Sequence, residues 1–224
     1  MHPSICLQVF TFNLFQEKTY LIFNQANECI LIDPGCCSEN EQKQLSDFLK
    51  DRNLVLKHLI NTHAHIDHVL GNHYVKTTYG VPLAMHAESL PLLEKIPDYQ
   101  SMYGIEGYQP TQPDRLLSEG DQISIAGCSL RVLYVPGHAP GHIALYSEAL
   151  KVCFSGDTLF QGSIGRTDLW GGDGKLLVES IRTKLFSLPD DVVVYPGHGD
   201  ATTIGAEKKQ NPYVGRTSNK PLPS

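Results

Sequence analysis

Four apolar runs of β-strand type each end in a loop that carries histidine or aspartate: INTHAHIDH, YVPGHAPGH, FSGDT and VYPGHGD. Short apolar runs closed by Gly, Pro, Asn or Asp read as buried strands. Glycine just past the strand end lets the backbone turn sharply. Strands of one layered core lie side by side, so their polar ends collect at one edge. This repeated grammar favours a sheet-on-sheet core covered by helices over a doubly wound parallel sheet.

The densest of these loops is THAHIDH, where His63, His65, Asp67 and His68 fall within six consecutive positions. A lone histidine is usually a packing residue. Four such side chains together point to metal, because neutral imidazole is the commonest protein metal ligand. Across the four loops the candidates are His63, His65, Asp67, His68, His138, Asp157 and His198. The remaining histidines, His2, His58, His73 and His86, read as surface or packing residues. His142 opens an apolar run four residues after His138 and reads as a supporting residue rather than a ligand.

Elsewhere the chain alternates strands and helices. ICLQVFTF, TYLIF and ECILID are strands, with NQAN a turn between the second and third. Ser38 with Glu41 three residues later is a capping-box signature. It opens a helix that places Leu45, Phe48 and Leu49 on one face. LVLKHLIN is the next strand, and a helix is expected from Asp67 to Thr78. VPLAMH is a short strand and ESLPLLEKI a short helix. QISIAG, SLRVLYV, HIALYS and KVCFSG follow as strands, then a helix over Lys175 to Leu185. Residues 97–115, rich in Pro, Gly, Gln and Tyr, form the longest expected loop, and loops of this length are often functional.

The 224 residues suit one domain spanning 1–224. A formal charge of −6 without a basic run argues against nucleic acid, whose phosphates need basic patches. The start lacks the composition of a signal peptide and every apolar run is strand-sized, so no membrane segment is expected. The six cysteines show no CxxC spacing, and a cytoplasmic protein with reduced thiols is the expectation.

In this setting THAHIDH resembles the HxHxDH motif of the metallo-β-lactamase superfamily, with His138, Asp157 and His198 matching its later ligands in order. GDTLF, GRTD and the ending GHGDATTIGAEKKQNP are similar to its glyoxalase II-like (hydroxyacylglutathione hydrolase-like) branch. The resemblance implies an α/β (α+β) fold of four layers, αββα, with two mixed sheets packed face to face and helices outside. It assigns His63, His65, His138 and Asp157 to one metal, and Asp67, His68, His198 and the same Asp157 to a second. Seven side chains serve eight bonds only if one carboxylate bridges. Imidazole and carboxylate suit zinc, iron or manganese; zinc is the default of two divalent ions.

The implied activity is metal-dependent hydrolysis of a small-molecule acyl-glutathione-type thioester by a hydroxide shared between the metals, with Asp67 orienting it. Arg166 matches a region that contacts substrate carboxylate; bracing of its own loop, onto Asp168, is the other reading. Tyr99, Tyr103 and Tyr108 could line the pocket or pack the loop. Some two dozen residues follow His198, ending in a polar tail, so the separate C-terminal glutathione-binding helical domain of longer relatives is not expected. The alternatives are a mononuclear iron persulfide dioxygenase, using His63, His138 and Asp157, or another hydrolase of this fold such as a lactonase. A non-catalytic metal-bound module would be expected to have lost ligands, and none is lost.

Overall fold

The protein was analysed as a computed structural model, which describes residues 5–216, 218 and 220. His2 therefore lies outside the described residues.

Two six-stranded mixed sheets form the centre. The first runs β1 (Ile5–Phe12), β2 (Glu17–Asn24), β3 (Glu28–Ile32), β4 (Val55–Ile60), β5 (Leu83–His86) and β6 (Arg115–Leu117) in spatial order. Its first three strands pair antiparallel and the rest parallel. In the second, β7 (Gln122–Ile125), β8 (Cys128–Tyr134), β9 (Ile143–Ser147), β10 (Val152–Gly156), β13 (Val193–Pro196) and β14 (Thr202–Thr203) lie in the order 14-13-10-9-8-7. Only β10 with β13 is parallel there.

Alternation along the strands divides the apolar residues among three cores. Tyr20, Ile22, Ile30, Ile32 and Ile60 of the first sheet meet Leu130, Val132, Ile143, Leu145 and Phe154 of the second. Their neighbours Leu21, Leu31 and Leu59 face the opposite way. They pack beneath α1 (Glu39–Asp51), α3 (Asn72–Tyr79) and α4 (Leu90–Tyr99) through Leu45, Leu49, Val75, Leu92 and Ile96. On the far side Ala144, Cys153 and Val194 pack against Leu177, Ile181 and Ile204, carried by α5 (Gly174–Ser180), the turn that follows it and α6 (Ile204–Gln210). Helix, sheet, sheet and helix are the four layers expected.

Several elements differ from the sequence expectation. The helix expected over Asp67 to Thr78 is two: α2 (Ile66–Val69) and α3, broken at Leu70 and Gly71. Gly71 donates its N–H to the Pro34 carbonyl at 2.7 Å, and a Cβ there would stand 2.6 Å from Cys36 Sγ. The break is made by this tertiary contact, which local pattern does not display. The helix expected to end at Ile96 continues to Tyr99 with Pro97 inside it, and a further tight turn covers Gln100–Tyr103. The irregular part of 97–115 therefore begins at Gly104. The helix expected to reach Leu185 narrows to α5 plus one wide turn, in which Phe186 N–H reaches back five residues to the Ile181 carbonyl.

Part of the expected polar tail is α6, capped by Thr203, whose hydroxyl accepts from the Ala206 N–H. Its buried Glu207 accepts from the Thr202 hydroxyl, the Asn211 amide and the Gly162 N–H. These bonds tie the helix to a short hairpin, β11 (Leu159–Phe160) and β12 (Ser163–Ile164), which sequence pattern did not signal. No described helix is long and apolar enough to cross a membrane.

Candidate metal centre

The seven candidate ligands stand just past strand ends. His63 and His65 follow β4, with Asp67 and His68 on α2; His138 follows β8, Asp157 follows β10 and His198 follows β13. Both sheets thus contribute to one edge of the sandwich. One ring nitrogen each of His63, His65 and His138 lie within 4.8 Å of one another, as do single ligand atoms of Asp67, His68 and His198. His65 Nδ1 and His138 Nε2 face each other at 2.8 Å. His198 Nε2 is 3.1 Å from Asp67 Oδ2. Asp157 lies between the two groups: Oδ1 is 3.4 Å from His68 Nε2, and Oδ2 is 3.5 Å from both His138 Nε2 and His198 Nε2.

Hydrogen bonds behind the rings settle four tautomers, because a carbonyl or carboxylate can only accept. His138 Nδ1–H donates to the Arg166 carbonyl at 2.8 Å, and His198 Nδ1–H to the Phe15 carbonyl at 3.1 Å. His68 Nδ1–H donates to Asp33 Oδ2 at 3.1 Å. The Thr62 hydroxyl gives its one proton to the same Asp33 oxygen at 2.6 Å, so it accepts from His63 Nδ1–H at 3.0 Å. In each case Nε2 is the nitrogen turned to the centre, a lone pair whenever the ring is neutral. His63 Nε2, His68 Nε2 and Asp157 Oδ1 are buried there without a hydrogen-bond partner. Buried polar atoms without partners are costly, and a cation would satisfy this set of lone pairs. The residues present therefore fit divalent metal.

The ionisation pattern follows the same division. Burial pushes the His63 and His138 imidazoles down, and burial together with His138 pushes His65 down to about 3, so these rings are neutral donors. For His68 burial also disfavours charge, but the Asp67 and Asp157 carboxylates outweigh it and raise the ring well above its ordinary value. Against their own burial, Asp67 and Asp157 are held low by His68 and its neighbours.

Three residues behind the ligands were missed by the sequence reading. Asp33 directly follows β3 in the same strand-then-aspartate manner as FSGDT, a signal that was available. Glu17 is fully buried, which raises its carboxyl well above the ordinary value, and its Oε2 lies 2.9 Å from the Thr19 hydroxyl. Thr62 links Asp33 to His63. His142, expected as a support, accepts the Asp157 N–H on Nε2 at 3.0 Å and stacks on His63 with centroids 4.6 Å apart. His58 pairs with the Ser124 carbonyl, His73 is exposed, and His86 caps a short turn and stacks on Tyr134.

A cavity of about 580 Å³ opens onto the centre. Phe15, Leu92, Tyr99, Tyr103, Phe160, Leu169 and Trp170 wall it, with Asp67, Asp157 and His198 at its floor. Tyr99 and Tyr103 come from the segment expected to supply the pocket, whereas Tyr108 packs into the core beneath the first sheet. Arg166 borders the cavity, but its guanidinium makes two 2.6 Å bonds to Asp168. Of the two roles considered for it, the internal brace is present in the structure. None of the six cysteines forms a disulfide, and Cys36 is packed in the core.

This arrangement has close counterparts. The model for the metallo-β-lactamase superfamily matches residues 13–198. Hydroxyacylglutathione hydrolase GloC of Haemophilus influenzae is 37% identical over 95% of this chain and 99% of its own. A probable metallo-hydrolase, YqgX of Bacillus subtilis, is 33% identical over 89% of this chain and 92% of its own. Among solved structures, BLEG-1 B3 metallo-β-lactamase superposes with a TM-score of 0.85 at 34% identity, covering 93% of this chain and 99% of that one. TTHA1623 in a di-iron-bound form gives 0.81 at 37% identity, covering 92% and 99%. Shared fold, matched length and a His-rich candidate metal site converge on one conclusion: the chain is a metallo-hydrolase and belongs to the metallo-β-lactamase superfamily.

Proposed function

We propose that this protein hydrolyses an acyl thioester of a small thiol, glutathione being the first candidate, with two divalent metal ions held by the seven converging side chains. The observation that carries the proposal is the two groups of ligand atoms with the Asp157 carboxylate between them, and the orphaned nitrogens and carboxylate oxygen turned inward. In it, His63, His65, His138 and Asp157 hold one ion, and Asp67, His68, His198 and Asp157 the other. The di-iron form of TTHA1623 and the activity named for GloC support this reading. Zinc is the default metal, with iron or manganese compatible with the same donors. Such a pair of ions supplies Lewis acidity that brings water toward ionisation at neutral pH and polarises a carbonyl.

The chain's own contribution is placement. Asp67 faces the cavity floor and can accept a hydrogen bond from the attacking water while His198 Nε2 lies beside it. The apolar walls exclude bulk water and hold the carbonyl over the floor. Among the described lining residues, every imidazole and carboxyl group belongs to the proposed ligand set. That leaves no separate imidazole or carboxylic acid to protonate a departing amine. A thiolate, with a pKa of about 8.5 for a Cys-like thiol, departs without such help. This favours a thioester over an amide. A one-domain organisation and a cytoplasmic setting belong to the same proposal.

The test joins metal analysis to a lactoylglutathione hydrolysis assay. About two ions per chain with turnover is expected. One iron per chain with persulfide-dependent oxygen uptake and no hydrolysis would overturn the proposal in favour of the dioxygenase. Asp157→Ala is expected to lose both ions and all turnover; retention of two ions would remove its bridging role.

A further inference from the structure

Resting on the thioester reading, we infer that the acyl group sits against an aromatic wall, so that the protein prefers bulky apolar or aryl acyl thioesters to small hydroxyacyl ones. Phe15, Tyr103 and Tyr99 form a continuous surface: Phe15 and Tyr103 meet edge-on with centroids 5.5 Å apart, and Tyr103 meets Tyr99 at 5.9 Å. Leu92 and Leu169 extend it, and Trp170 closes the rim. Tyr103 and Trp170 remain 38% and 50% exposed, so large apolar faces stand bare at a cavity mouth rather than being packed away. Contiguous exposed apolar surface marks a binding site more often than an ordinary patch does.

Trp170 is held in place on a preformed loop. The Lys95 ammonium lies 3.9 Å from the centre of its ring, joining the loop to α4. Asp173 N–H bonds the Gly137 carbonyl at 2.7 Å, and Gly172 N–H the Leu169 carbonyl at 2.9 Å, which secure the segment on both sides of the indole. Apart from the Ser163, Tyr99 and Tyr103 hydroxyls, the cavity has few polar groups to offer a hydroxyacyl group. Arg166 is engaged by Asp168, and the remaining charged lining groups are the proposed ligands. An α-hydroxyl set on the apolar part of this wall, away from the Tyr99 and Tyr103 hydroxyls, would give up hydrogen bonds to water without recovering them. An apolar chain of the same thioester gains with each methylene it buries.

The experiment compares lactoyl-, hexanoyl- and phenylacetyl-glutathione on the metal-loaded enzyme. The expected kcat/KM is at least roughly tenfold higher for the two apolar acyl groups, the range set by methylene recognition in an apolar pocket. Trp170→Ala is expected to lower kcat/KM for the hexanoyl and phenylacetyl thioesters by a larger factor than for the lactoyl one, erasing most of that preference. Equal or better lactoyl kcat/KM would overturn the inference and leave the thioester reading intact. A second measurement is independent of turnover. Trp170 is the one tryptophan of the chain and lies at the mouth, so its fluorescence reports occupancy. Titration of the metal-loaded protein with hexanoate and phenylacetate should give saturable changes, and lactate none over the same range. That result supports the apolar subsite even if no thioester is cleaved, in which case the thioester reading alone fails. No change with either apolar acid would overturn the inference.

Discussion

Each of four imidazoles at the centre sets its Nδ1 against a fixed acceptor and turns Nε2 inward, and the acceptors come from four different segments. Asp33 serves twice, holding His68 directly and His63 through the Thr62 hydroxyl. Replacing it should lower metal affinity by about 10- to 100-fold, the usual cost of losing a partner behind a metal ligand. A chelator competition titration of Asp33→Ala, with circular dichroism to confirm folding, measures this; unchanged affinity would remove Asp33 from the proposed support. Gly197 makes a second case. A Cβ there would fall 2.1 Å from Asp157 Oδ1 and 2.6 Å from His68 Cε1. Gly197→Ala is therefore expected to displace the Asp157 carboxylate and cut metal content below that of the parent chain while secondary structure persists. The motif HxHxDH was legible at this scale because its residues are adjacent. Asp33 carried a strand-then-aspartate signal of its own, but Glu17 and the acceptors behind each ring were not legible, since their partners lie far along the chain.

At the element scale, α1 is specified locally and can be tested locally. Ser38 accepts the Glu41 N–H, and the Glu41 carboxylate accepts N–H bonds from Asn13, Cys37 and Ser38. Ser38→Ala should cost about 1 kcal/mol, read as a lower denaturation midpoint at unchanged m-value. Partial burial works against the Glu41 carboxylate, but the three backbone donors outweigh it and hold its pKa below the ordinary carboxylate value. A group depressed on folding stabilises above its unfolded pKa, and that contribution is lost as pH falls through the folded value. The stability gap between the parent chain and Glu41→Gln should accordingly be full at neutral pH and shrink on acidification below the ordinary carboxylate range. A gap that does not vary with pH would contradict this account. The capping box was readable because all its parts lie within four residues. The break at Gly71 was not, because the contact that makes it comes from Pro34 and Cys36.

For the whole molecule, the proposed metal centre ties the two sheets together at one edge. Lys18 N–H bonds the Gly197 carbonyl and Ile143 N–H the Thr62 carbonyl, both at 2.8 Å, next to ligands from both sheets. Ions bound only by the folded state stabilise by mass action, by about 4 kcal/mol when free metal is a thousandfold above Kd. Chelation should therefore lower Tm, and readdition should restore it; a Tm indifferent to metal would argue against the centre. By itself the sequence determined the strand grammar, the layered class and the inventory of candidate ligands, because those depend on residue type and short spacing. Only the tertiary structure decided which acceptors lock each ring, that Arg166 turns to Asp168, and that an aromatic wall faces the floor. The Arg166–Asp168 pair is local, two residues apart, and the structure chose between two readings the sequence left open; the other outcomes depend mostly on contacts between segments distant in the chain, which no local pattern carries.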